Sequence, residues 1–90
     1  MSETREVKEK RLRMRSMRRG IKEMDLILQA YADAHLTGLS DAGLETYDAL
    51  LRENDHDIYA WVTGQTQPPE VYTAQMAVIR DMAAGLTKPA

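Results

Sequence analysis

Ninety residues suit one small domain, and a chain this short buries too modest a core to enclose a large active-site cavity. Cysteine is absent, which excludes a disulfide framework and a thiolate metal site and suits a reducing compartment. The formal net charge of -2 conceals a division: residues 1–22 carry nine Lys/Arg against three Glu, so the rest of the chain stands at -8. Such a separation suits either a solvated helix face or a surface that meets acidic groups or phosphates. No apolar run approaches the roughly 20 residues needed to cross a bilayer. The N-terminus lacks an apolar signal core, and Glu3, Glu6 and Glu9 interleave with its bases, unlike an organelle transit peptide, so this segment is read as part of the mature protein.

Helical periodicity runs throughout and no sustained apolar/polar alternation marks a strand, so the expected fold is all-α, a small five-helix bundle forming one domain over residues 1–90. Ser2 or Thr4 caps a basic first helix over about 4–19, with Val7, Met14, Met17 and Ile21 on its apolar stripe. A second helix follows Gly20, places Met24, Ile27, Leu28 and Tyr31 inward and stops at Gly38. Ser40 caps a third, whose buried side is Leu44, Tyr47, Leu50 and Leu51. After the acidic loop "RENDHD", Asp55 or Asp57 caps a short fourth helix with Ile58, Trp61 and Val62 inward, ended by Gly64. Pro69 opens a fifth that runs to about Ala84, ahead of a tail over about 85–90 expected to fray.

Catalytic chemistry finds little to work with. His35 falls at a helix end and His56 in a loop, neither beside a nucleophile with an oriented base, so no catalytic residue and no enzyme activity is expected. The "DHD" at 55–57 has metal-binding atoms, but three adjacent residues cannot all face one ion and no second cluster completes a site, so no metal is expected.

Gly20 is the feature that calls for explanation, since a glycine inside a helix costs about 1 kcal/mol relative to alanine. Either it is a left-handed helix terminus, or it is a bare patch that lets another protein approach closely. On a straight helix Leu12, Arg15, Arg19 and Glu23 would lie opposite the Val7/Met14/Ile21 stripe, making a docking face with an exposed leucine among charges.

The stretch "RRGIKEMDLIL" resembles the R-G-x-x-E signature of the SdhE-type flavinylation factors, the succinate dehydrogenase FAD assembly factor family, with Arg19, Gly20 and Glu23 on its defining positions. "YDALLRENDHDIYAWVTG" resembles the family's apolar helix, acidic loop and D-x-aromatic-x-W, matched by Asp57, Tyr59 and Trp61, and a "PPE" follows before the last helix. The resemblance covers about residues 8–84. It implies a chaperone-like factor that binds the flavoprotein subunit of succinate dehydrogenase, with fumarate reductase as a candidate second client, and promotes covalent attachment of FAD to a client histidine. FAD would be the client's cofactor and not stably held by the factor, which is expected to be a monomer in the bacterial cytoplasm, away from the membrane. Arg15, Arg18, Arg19, Gly20, Glu23, Asp57 and Tyr59 are the expected partner-binding residues, the basic helix steering the encounter, while Trp61 serves the core first or the partner. The rival reading is a nucleic-acid-binding or antitoxin-like module, which nine early bases suggest and the acidic remainder, without aromatics among those bases, opposes.

Overall fold

The computed structural model describes residues 3–17 and 19–87. Ser2 as an alternative cap, Arg18 as a contact residue and the last three residues of the tail lie outside that range. Among the described residues there are five α-helices and no strand: α1 (Arg5–Arg15), α2 (Lys22–His35), α3 (Asp41–Leu51), α4 (Asp55–Val62) and α5 (Thr73–Thr87).

Local chemistry sets most boundaries. Thr4 accepts from the Val7 amide at 3.2 Å and Ser40 from the Gly43 amide at 3.0 Å, each satisfying an orphan donor of a first helical turn. Gly64 ends α4 at a φ of 81°, a left-handed conformation that glycine adopts freely. Three boundaries differ from expectation. Asn54, not Asp55 or Asp57, caps α4 by accepting from the His56 amide at 2.8 Å, because the Asp55 carboxylate is drawn elsewhere. Pro69 opens a single 3-10 turn, Glu70–Tyr72, and α5 starts only at Thr73, then continues to Thr87. The first helix stops at Arg15, four residues short of its expected end, so it does not run on toward Gly20.

α2 lies at the centre, packed on α1 and α5, while α3 packs on α1 and α4 on α5. Met24, Ile27, Leu28 and Tyr31 of α2 meet Leu44, Tyr47, Leu50 and Leu51 of α3, Ile58 and Trp61 of α4, and Met76 and Ile79 of α5 in one core. The buried polar atoms beside α1 are joined: Ser16 Oγ donates to the Leu12 carbonyl at 2.8 Å and shares a 2.6 Å hydrogen bond with the Tyr47 hydroxyl.

The facing of α1 reverses the expectation. Leu12 is fully buried, whereas Val7 is 54% and Met14 68% exposed, and Met17 is exposed as well. Leu12 and Ser16 form a narrow inward line flanked by cations whose stems cover apolar surface while their heads reach acids on the next helices. Arg5 pairs with Asp41 at 3.0 Å, Lys8 with Glu45, Arg11 and Arg15 with Asp48 at 3.2 and 2.6 Å, and Arg13 with Asp33 at 3.2 Å. Burial of Leu12 and Ser16, with ion pairs to acidic neighbours on either side, goes with this facing of α1, which the number of apolar side chains does not reveal.

Candidate functional site

Residues 16–21 connect α1 to α2, and the Arg-Gly pair of the R-G-x-x-E stretch sits in this connection. Arg19 and Glu23 therefore do not form an i, i+4 pair on one straight helix. The Arg19 side chain is only 11% exposed and is committed internally. Its Nε donates to Asp55 Oδ1 at 2.8 Å, its Nη2 to the Leu51 carbonyl at 2.9 Å and its Nη1 to the Arg15 carbonyl at 3.0 Å. One guanidinium thus serves the C-terminal ends of α1 and α3, where carbonyls lack helical partners, and bonds the first turn of α4 as well. Its backbone amide adds a bond to Asp25 Oδ1 at 2.8 Å, in the first turn of α2.

Gly20 completes the clasp. Its amide donates to Asp55 Oδ2 at 2.6 Å, so the Asp55 carboxylate grips Arg19 with one oxygen and Gly20 with the other. A Cβ on Gly20 would stand 3.0 Å from that oxygen, closer than side chains normally tolerate. Among the described residues only Gly64 has a positive φ, so Gly20 is not a left-handed terminus. A side chain beginning here would press on the α4 carboxylate that already bonds the Gly20 amide.

The clasp fixes the start of α2, and with it Glu23, which is exposed and makes no hydrogen bond or ion pair among the described residues. Glu23 stands on the rim of a groove of about 390 Å³ between α2, α4 and α5, together with Tyr59, Val62, Arg80 and Ala84. Tyr59 is half-buried there, with its ring against the core. Two residues expected at the contact, Glu23 and Tyr59, are thus brought together. Others are placed apart: Asp57 is exposed on the first turn of α4 and is not in the groove wall, and Arg15 is held by Asp48. Trp61 lies in the core, 8% exposed, its ring 5.8 Å from that of Tyr72, whose hydroxyl donates to Glu53 at 2.8 Å.

Asp48 is the electrostatic centre of the opposite face. Burial raises its carboxyl pKa, but the Arg11 hydrogen bond and the charges of Arg11, Arg52 and Arg15 outweigh that and hold it below the usual value. Neither role is legible in the sequence, since Arg11 and Arg15 lie more than 30 residues from Asp48, as Arg19 and Gly20 do from Asp55; the acidic "RENDHD" suggests only a cap and a solvated loop. Nothing in the sequence points to Arg80 either.

The groove offers a carboxylate, a phenol, a guanidinium and apolar walls, a set suited to gripping a polypeptide. Among the described residues no group of His, Asp and Glu is arranged to hold a metal ion, and no helix is long and apolar enough to cross a membrane.

Comparison with known proteins bears on this arrangement. Residues 10–83 match the family described as flavinator of succinate dehydrogenase. The chain is similar to the mitochondrial succinate dehydrogenase assembly factor 2 of Meyerozyma guilliermondii, 54% identical over 61 residues, covering 68% of this chain and 45% of the relative. It is 38% identical over 85 residues to the protein of the same name in Danio rerio, covering 92% and 52%, and 41% identical over 80 residues to that of Schizosaccharomyces japonicus, covering 89% and 55%. The chain spans about half the length of these curated relatives. With the match extending from α1 through most of α5, and so across both clasp and groove, the chain belongs to the flavinator of succinate dehydrogenase family.

Proposed function

We propose that this protein is a chaperone-like assembly factor that binds the flavoprotein subunit of succinate dehydrogenase and promotes covalent attachment of FAD to it, without supplying a catalytic group of its own. The observation that carries this reading is the clasp: Arg19, Gly20 and Asp55 lock three helix ends together and hold Glu23, which has no internal partner, beside Tyr59 on an open groove. Arg19 and Gly20 then act on the client through the geometry they impose, and Glu23 and Tyr59 touch it. Flavin attachment relies on the cofactor's own reactivity once ring and acceptor histidine are held in place, and positioning alone can contribute several kcal/mol. FAD stays with the client, and the factor works as a monomer in the compartment where the client is made. The relatives are mitochondrial by name; in a bacterium the corresponding place is the cytoplasm.

The decisive variant is Glu23→Ala, expressed in cells lacking the native factor, with covalent flavin on the client read by in-gel fluorescence. Flavinylation is expected to fall about tenfold or more while the thermal midpoint stays within about 2 °C, because losing a charged partner at a desolvated contact costs a few kcal/mol of binding and an exposed residue contributes little to the fold. Normal flavinylation by the folded variant would overturn the contact role. The flavoprotein of fumarate reductase, followed on the same gel, tests the second client.

The nucleic-acid reading loses its main support, since Arg5, Lys8, Arg11, Arg13, Arg15 and Arg19 all pair with carboxylates of this same chain. Phosphate binding would have to displace those internal partners.

A further inference from the structure

We propose that the groove between α2, α4 and α5 receives an apolar side chain of the client flavoprotein lying between a basic residue that pairs with Glu23 and an acidic residue that pairs with Arg80, so that Arg80 is a partner-contact residue. This rests on the assembly-factor reading and adds to it the chemistry of the client segment.

The first argument is one of pairing. Of the seven arginines among the described residues, six lie within ion-pair distance of a carboxylate of this chain: Arg5, Arg11, Arg13, Arg15, Arg19 and Arg52. The Arg80 side chain makes no ion pair and no hydrogen bond among those residues, although the molecule is acidic overall. Glu23, on the same groove, is likewise uncommitted, and the two are not bridged to each other. A carboxylate and a guanidinium left open on one cleft, in a protein whose other described arginines are paired internally, match a partner that brings the opposite charges in the opposite order.

The second argument is one of preorganisation. Arg80 does not simply trail into solvent: its Nη2 lies 3.1 Å from the point where a Cβ of Gly64 would stand, so the guanidinium rests on the bare backbone of the turn that ends α4. That seat holds the charge at the groove's edge before any partner arrives, which lowers the entropy lost on binding. The third is one of size and lining. A groove of about 390 Å³ walled by Val62 and Ala84, with Tyr59 in its wall, falls at the low end of the range for ligand sites and suits an apolar side chain with its flanking backbone. Half-buried tyrosine beside an arginine is also the composition enriched at contact centres.

The test uses the full chain and the purified apo flavoprotein subunit of succinate dehydrogenase, with binding followed by calorimetry at two salt concentrations and folding by thermal melts. Arg80→Ala is expected to weaken binding about tenfold and Arg80→Glu about a hundredfold, with a shallower salt dependence and a midpoint within about 2 °C of the parent. Arg80→Gln, which removes the charge and leaves a shorter polar side chain, stands in if Arg80→Glu fails to fold. A photo-crosslinker at Val62 is expected to mark a client peptide holding an apolar residue between a base and an acid. If the Arg80 variants bind like the parent while Glu23→Ala does not, the groove proposal falls and the assembly-factor reading stands; if Glu23→Ala also binds like the parent, both fall. Crosslinking to a second copy of this chain, or perturbation of the groove residues by free FAD alone, would also overturn the proposal.

Discussion

At the scale of single residues, Gly20 and Asp55 account for each other. The Asp55 carboxylate bonds the Gly20 amide at 2.6 Å and Arg19 Nε at 2.8 Å, and a Cβ on Gly20 would press on the first of those oxygens. Gly20→Ala sets two effects against each other. Alanine reduces the freedom of the unfolded chain, which stabilises by about 0.4–1 kcal/mol, while displacing the carboxylate weakens charge-assisted bonds worth about 1.5–3 kcal/mol each. A net destabilisation of about 1 kcal/mol is expected in urea unfolding. Asp55→Ala should be worse, about 2 kcal/mol, because it leaves a largely buried guanidinium with only carbonyl partners. Glu23→Ala should stay within about 0.5 kcal/mol. A neutral Asp55→Ala would show that the clasp does not hold the helix ends together.

At the scale of elements, α1 marks the limit of what sequence can reveal. Caps and stops were legible at Thr4, Ser40 and Gly64 because each is a local matter of one side chain and an amide a few residues away, or of one backbone angle. The inward residues of α2 and α3 were legible because both helices carry broad apolar faces. α1 has no such face. Its apolar count favoured Val7, Met14 and Met17, yet it buries Leu12 and meets carboxylates at positions 33, 41, 45 and 48, which periodicity within the helix cannot register. The clasp was illegible for the same reason, since Asp55 lies 35 residues from Gly20. Of the proposed contact residues, Glu23 was legible from its spacing beside Gly20 as well as from the resemblance, Tyr59 from the resemblance alone, and nothing in the composition pointed to Arg80. The orientation of α1 predicts a sharp contrast: Leu12→Ala should cost about 2–5 kcal/mol, as for other fully buried leucines, and Met14→Ala no more than about 0.5 kcal/mol. Equal effects in denaturant unfolding would mean that α1 is turned the other way.

At the scale of the whole molecule, a charge separation along the chain becomes a charge pairing in space. The basic first helix lies against the acidic third, so the long-range field implied by the sequence is largely cancelled at short distance, and Asp48, held by Arg11 and Arg15, sits at the middle of that seam. This fixes how stability depends on pH. The Asp48 carboxyl titrates below its ordinary value in the folded state, and a free aspartate titrates near about 3.9, so its stabilising contribution is complete above that point and is lost as pH falls through the folded value. At the alkaline end the sign reverses. Burial pushes the Tyr47 hydroxyl well above its usual range, against a smaller lowering by the Ser16 bond, so the folded protein keeps a proton that the unfolded chain releases above about pH 10, and stability declines from there upward. Unfolding free energy against pH should therefore be flat between about pH 5 and 9 and fall on both sides. Tyr31 and Tyr72 are raised by burial as well and Glu3 is lowered by its Arg11 bond, so each limb has more than one contributor. Asp48→Asn should shallow the acid limb and leave the alkaline one, at a cost of about 1–2 kcal/mol at neutral pH because Arg11 and Arg15 are a third exposed and partly screened by solvent. Tyr47→Phe should shallow the alkaline limb and leave the acid one. An acid limb unchanged in Asp48→Asn would place the proton-linked stability in other carboxylates and remove the α1–α3 seam from the account of what holds this fold.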